Sequence, residues 1–154
     1  MQQLIRHTLL FTLLFCGLFS QSFAQSVNQL QIRYLEFLES QEIEGKIDTD
    51  GDIQFKHEER SYFIEVDATD TEFFRLVLPN VWPIESEEER LQVLRAVDFV
   101  NNQVKVAKTY TVKDNVWIGI EVFRDDIDDY EEYFERSLQV IDRSVDYFIQ
   151  KMEE

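Results

Sequence analysis

Cysteine occurs once in the 154 residues, proline twice, histidine twice and glycine four times. The single thiol, Cys16, lies in an apolar run near the start, so the remainder can form neither a disulfide, a zinc cluster nor a cysteine nucleophile. Past residue 24 only Gly45, Gly51 and Gly119 remain, which leaves no phosphate-cradling loop; Gly-x-Ser-x-Gly and Ser-x-x-Lys are likewise missing. Positive charge is scarce: 15 Lys and Arg face 31 Asp and Glu, a formal net charge of −16. A charge of that sign repels phosphate backbones and anionic lipid, which argues against nucleic-acid and membrane-surface roles. It suits cationic partners or divalent cations. The longest apolar run, Leu9 to Phe19, falls short of the roughly 20 residues that a bilayer span requires.

What is present at the start reads as a Sec-type leader. Arg6 precedes the apolar run, and Ser22-Phe23-Ala24 offers small residues at both recognition positions for cleavage after Ala24. An uncleaved anchor is the alternative; a lipid anchor on Cys16 is disfavoured by Phe15, where a small residue is wanted. Residues 1–24 are therefore expected to be a signal peptide and 25–154 a single domain, secreted or periplasmic, with no membrane attachment after cleavage. The length suffices for a core, and abundant aromatics argue against disorder.

Val27 to Leu38 places Leu30, Tyr34, Phe37 and Leu38 at helical spacing, with Gly45 expected to close the unit. Then Ile53 and Phe55, next Tyr62, Ile64 and Val66, and next Phe74, Leu76 and Leu78 share one parity in three consecutive strands. Pro79 and Pro83 are expected to stop the third strand, because neither can donate to a ladder. Ser86-Glu87-Glu88-Glu89 is a capping box for a second helix running to about Asn102 through Leu91, Leu94, Val97 and Val100. A hairpin around Lys113-Asp114-Asn115 follows, then a last helix opened by Asp126. There Ile127, Tyr130, Phe134, Leu138, Ile141, Val145, Phe148 and Met152 recur at about 3.6 residues per step. The pattern predicts an α+β fold, α-βββ-α-ββ-α, with an antiparallel sheet packed with helices.

DTDGDIQF, Asp48 to Phe55, tests as an EF-hand loop or as a hairpin. As a calcium loop it places Asp48, Asp50, Asp52 and Glu59 at positions one, three, five and twelve, but Ile53 occupies the sixth position, where glycine is needed. As a hairpin, a three-residue loop Thr49-Asp50-Gly51 with Gly51 left-handed pairs Ile47 with Ile53, both on the core face. The hairpin accounts for more residues. His57, beside Glu58-Glu59, reads as a strand end at the sheet margin and not as a general base. Asp125 to Glu135 packs seven carboxylates into eleven positions. Acids at the positive end of a helix dipole explain them, with Arg136, Arg143 and Lys151 towards the other end. A carboxylate-based hydrolase would need a cleft there, with two of the acids about 5–10 Å apart.

On the parity opposite to the core stand Phe63, Phe73, Val77, Trp117 and Phe123, beside Glu65, Arg75 and Glu121. A half-apolar second face is either covered by another helix of the same chain or used for a partner. Trp82, between the two prolines, is either a loop plug or an exposed anchor. Phe63, Trp82, Trp117 and Phe123 are the candidate partner-binding residues.

The hairpin DGDIQF, the strand SYFIEVD, then EFFRLVLPNVW, ESEEERLQVLRAVDFVNNQVKVAK and DNVWIGIEVF resemble the YbjN-like proteins, from about Gly45 to the C-terminus. That resemblance implies the fold of the class I chaperones of type III secretion, homodimerisation and no enzymatic site or cofactor. In those chaperones an acidic dimer holds an extended client segment, whereas YbjN-like members are described as regulatory or stress-related. The relatives are cytoplasmic, and the leader here departs from them. The expectation is a non-enzymatic secreted or periplasmic protein- or peptide-binding module, with a calcium-binding structural module and a carboxylate-based hydrolase as alternatives.

Overall fold

The computed structural model describes residues 29–67 and 69–154; the expected leader and its cleavage point lie outside the described residues. The chain is helical over residues 29–40 (α1), and Leu30, Tyr34 and Leu38 are buried along one stripe. Gly45 does not end this helix. Glu42 does, with φ of 60° in the left-handed region, while Ile43 N–H bonds to Leu38 O and Glu42 N–H to Glu39 O. This is a Schellman closure, with glutamate where glycine is usual. Gly45 is used instead for close approach: a Cβ there would lie 2.8 Å from Leu38 Cδ1.

Six strands follow, β1 (Gly45–Ile47), β2 (Ile53–His57), β3 (Arg60–Ile64), β4 (Phe73–Pro83), β5 (Ala107–Val112) and β6 (Asn115–Phe123). They form one antiparallel sheet in the order β1-β2-β3-β4-β6-β5. Two further helices, α2 (Glu87–Gln103) and α3 (Tyr130–Met152), complete the described residues. The architecture is thus α+β as expected, with β1 added to the first block of strands. The expected core parity holds: Ile53, Phe55, Tyr62, Ile64, Phe74, Leu76 and Leu78 are buried together with Ile118 and Ile120. Against them pack α1 and the Tyr130, Phe134, Leu138, Ile141 and Val145 stripe of α3. A second cluster joins Val93, Ala96 and Val100 of α2 to Val116, Phe148 and Met152. All three helices therefore lie on one side of the sheet.

Four further expectations need correction. Ile47 pairs with Ile53 as the three-residue loop requires, yet it is half exposed, because β1 is a short edge strand whose Gly45 end alone meets α1. The prolines do not stop the strand: β4 continues to Pro83 through an irregularity between Leu78 and Trp82, with Asn80 at φ 56°. What Pro79 does stop is the β3–β4 ladder. The register would set it opposite Ser61, where it has no N–H to give, and the two strands pair only at Phe63↔Val77 and Ile64↔Leu76. In α2 the buried stripe is Val93, Ala96 and Val100, one step round from the expected face, and Leu91 and Leu94 are exposed. Finally, α3 begins at Tyr130 and not at Asp126, because the acids before it cap a loop: Asp129 Oδ2 accepts the Asp125 and Asp126 N–H groups at 3.1 and 2.8 Å.

The expected cap of α2 is formed by Ser86, with the reciprocal glutamate bond shifted one residue back to Glu85. Ser86 Oγ accepts the Glu89 N–H at 3.1 Å, and the Glu89 carboxylate reaches back to the Glu85 N–H at 2.6 Å. Sheet and last helix are further tied by Asp142, which accepts from the Tyr62 hydroxyl at 3.1 Å and pairs with Arg60.

Removing two buried methyls by Val100→Ala should cost about 2 kcal/mol, whereas Leu91→Ala should stay within about 0.5 kcal/mol; urea midpoints of the two variants check this. Burial, with the Asp142 charge added, pushes the Tyr62 phenol up to about 12, against about 10 in an unfolded chain. A pKa raised by folding contributes stability that is complete below about pH 10 and lost as pH rises through about 12. The alkaline fall in stability between those values should be shallower in Tyr62→Phe, measured as melting temperature against pH.

Candidate functional site

The sheet face turned away from the helices is uncovered among the described residues, and its side chains fall into rows. One row crosses Gln54, Phe63, Val77, Gly119 and Lys108, each paired with the next. Phe73 and Phe123 form another, with ring centroids 5.8 Å apart, and Phe123 is 81 % exposed. Trp117 pairs with Tyr110, centroids 6.4 Å apart. Of the four candidate contact residues this face brings together three, Phe63, Trp117 and Phe123. Trp82 is elsewhere. The β4 irregularity adds two residues and so keeps it on the helix side with Leu78, opposite Val116, where its indole N–H donates to Glu89 at 2.9 Å and its ring meets Phe148 edge-on.

Between the aromatic rows runs a charged strip that the period-two pattern placed correctly on this face. Arg75 donates to both oxygens of Glu65 at 2.6 and 2.7 Å, lies 3.1 Å from Glu121 Oε1, and donates to the Tyr110 hydroxyl at 2.5 Å. Lys108 reaches Glu121 at 3.1 Å and stands over the Tyr110 ring. Burial works against the Arg75 charge, but the Glu65 carboxylate outweighs it, so the guanidinium pKa is raised. The Tyr110 phenol is raised as well, chiefly by burial. Tyr110 was missed in the sequence. Its signal was available, since it shares the outward parity of its strand with Lys108.

The acidic segments have other partners. In DTDGDIQF the hairpin is formed: Asp48 N–H bonds to Asp52 O at 2.9 Å, and Gly51 has φ of 95°. Asp48 Oδ1 accepts three backbone N–H groups, from Asp50, Gly51 and Asp52, at 2.9, 3.0 and 3.0 Å. Asp52 turns the other way and accepts the Val66 N–H at 2.9 Å; burial raises its pKa, and that N–H partly offsets the rise. Asp48 and Asp52 thus hold backbone and do not converge, and among the described residues no group of three or more His, Cys, Asp or Glu is placed to hold a metal ion. His57 ends β2, with its ring edge-on to Tyr62. From Asp125 to Glu135 the acids fan outward, exposed except for the half-buried Asp129, and Asp128 pairs with Arg33. Asp128 and Glu131 line a shallow depression against α1, not a cleft between α3 and the sheet, and the Asp128 carboxylate there is taken by Arg33.

No family model matches the chain, and no curated protein matches it. Solved structures do. An uncharacterized protein from Methanothermobacter thermautotrophicus superposes with a TM-score of 0.57 at 12 % identity, covering 80 % of this chain and 96 % of that one. A chain of the HopA1-SchA chaperone–effector complex superposes with a TM-score of 0.50, also at 12 % identity, covering 82 % of this chain and 97 % of that one. The α+β fold is therefore shared with a component of a chaperone complex, in agreement with the chaperone-like fold expected from the resemblance.

Asp48→Ala should lower stability by about 1–2 kcal/mol through its three lost backbone bonds, whereas Asp50→Ala, whose carboxylate holds no backbone group, should stay within about 0.5 kcal/mol. Thermal melts of both variants distinguish a hairpin clamp from a solvated acidic tip.

Proposed function

We propose that the protein is a non-enzymatic binding module of chaperone type that holds an extended segment of a client protein across the uncovered sheet face. The observation that carries this reading is the face itself: a stable sheet ordinarily buries its apolar side chains, yet Phe123 stands almost fully in solvent beside Phe73, and Phe63 and Trp117 are half covered. Aromatic anchors separated by a satisfied ion network are the composition of a protein contact surface, in which a few large side chains supply most of the energy. The fold likeness to a component of a chaperone–effector complex supports the same class of function. The strong negative balance favours a client segment that is net positive as well as apolar.

Membership of the YbjN-like family, a homodimeric state and export to the periplasm or beyond belong to the same proposal. They rest on the motifs from Gly45 onward and on the leader-like start.

Mild cross-linking of the tagged protein in its own cells, followed by capture and mass spectrometry, should return one recurrent partner with cross-links on β3, β4 or β6. A synthetic peptide of the cross-linked segment should then bind, and Phe63→Ser or Phe123→Ser should weaken it at least tenfold with the melting temperature unchanged. Equal binding by the variants would remove the face from the function. Self-cross-links alone across this face would make it a homodimer interface.

A further inference from the structure

On the helix side of the sheet, well away from the aromatic face, a groove of about 530 Å³ opens between α3 and the β5–β6 edge. Its floor is apolar, made by Val104, Ile120, Val122 and Val140, and Tyr133 and Tyr147 wall it. The charged side chains that line it are Lys105, Arg136 and Arg143, and no carboxylate lines it. In a chain with 31 acidic residues and a net charge of −16 this is the reverse of the surrounding surface.

Among the described residues Lys105, Arg136 and Arg143 hold no carboxylate within 4 Å, a condition they share with Lys46, Lys56, Arg95 and Lys113. What sets these three apart is that they line one groove that no carboxylate lines. Partners were at hand, since Glu132 lies one turn before Arg136 and Asp146 one turn after Arg143 on the same helix. Arg136 and Arg143 are two turns apart, about 10 Å along α3, so they mark the length of the groove, with Val140 between them.

A second observation points to the same place. Val106, on the rim, has φ of 75° and is 61 % exposed. Positive φ is a conformational outlier for a β-branched residue, and strain of this kind gathers at ligand clamps. It sets an exposed apolar side chain at the mouth of the groove.

We propose that this groove binds a small amphipathic anion, a carboxylate with an aliphatic tail. The volume is that of a small-molecule site, the floor takes the tail, and a rim cation takes the carboxylate where no acidic side chain lines the groove. The site shares no residue with the client face, so it stands or falls independently of the chaperone reading.

The test titrates the intact protein with decanoate, with decanol as the uncharged counterpart, following backbone amide shifts. Saturable shifts at Val104, Val106, Tyr133 and Tyr147, with decanol at least tenfold weaker, are expected. At least one of Arg136→Gln, Arg143→Gln and Lys105→Gln should weaken decanoate about tenfold without moving the melting temperature, and that residue is the carboxylate's partner. Equal binding of decanol and decanoate, shifts mapping to the aromatic face, or no shifts at all would each overturn the proposal.

Discussion

One constraint governs the molecule: a single sheet has two faces, and every helix among the described residues packs on the same one. Strand side chains alternate strictly, so once Ile53, Phe55, Tyr62, Ile64, Phe74 and Leu76 are committed to the helices, their neighbours have no choice of side. Phe63, Phe73, Trp117 and Phe123 are where they are because the residues next to them are core. The uncovered face is therefore not a defect of packing. It is what remains when 3.6-residue periodicity in three helices meets period two in six strands and the helices cover only one side.

Within the covered side, one polar group does for the core what aromatics alone cannot. Arg124 is 4 % exposed and holds no carboxylate; its Nε donates to Thr71 O at 2.8 Å and its Nη1 to Ile127 O at 2.7 Å, and its guanidinium lies under 6 Å from the rings of Tyr34 and Tyr130. It fastens the segment before β4 and the end of β6 to the start of α3, and both rings come from helices. A buried charge is tolerable only with such partners, and carbonyl and ring-face partners spread the cost over several elements. The acid-rich loop from Asp125 to Asp129 follows directly. With Arg124 fixing Ile127 O, the Asp126 and Asp129 carboxylates close the turn on themselves, and the helix starts four residues after Asp126.

Much of this was legible. Period two in the strands, the α3 stripe, the Ser86 cap and the Gly51 hairpin all depend on interactions within a few residues, and each is found as read. What sequence could not supply came from distant partners. The α2 stripe was misplaced because Leu91 and Leu94 are more apolar than Ala96, while the geometry of docking against Val116 and Phe148 favours the smaller Val93, Ala96 and Val100 face. Trp82 was ambiguous until the β4 irregularity was known, since one extra residue there would have reversed its side, whereas the two that it adds keep the side of Leu78. The cationic groove was invisible because its cations come from α3 and from the turn after α2, separated by more than thirty residues.

The two candidate surfaces are best understood against the charge of the whole chain. On the aromatic face the cations are spent: Arg75 and Lys108 both hold Glu121, and Arg75 also holds Glu65, so a partner meets a nearly neutral strip flanked by rings. Desolvating such a strip costs less than desolvating free ions, because the pairs keep one another's hydrogen bonds when water leaves. In the groove the opposite holds. Unpaired arginines beside valine and tyrosine keep their full attraction for an incoming anion, in a groove that no carboxylate lines. A chain this acidic gains nothing in stability by leaving Glu132 and Asp146 unpaired with those arginines, since a helical pair one turn apart adds about 0.2–0.5 kcal/mol. The stabilisation forgone is small, so leaving these guanidinium groups to the groove costs the fold little.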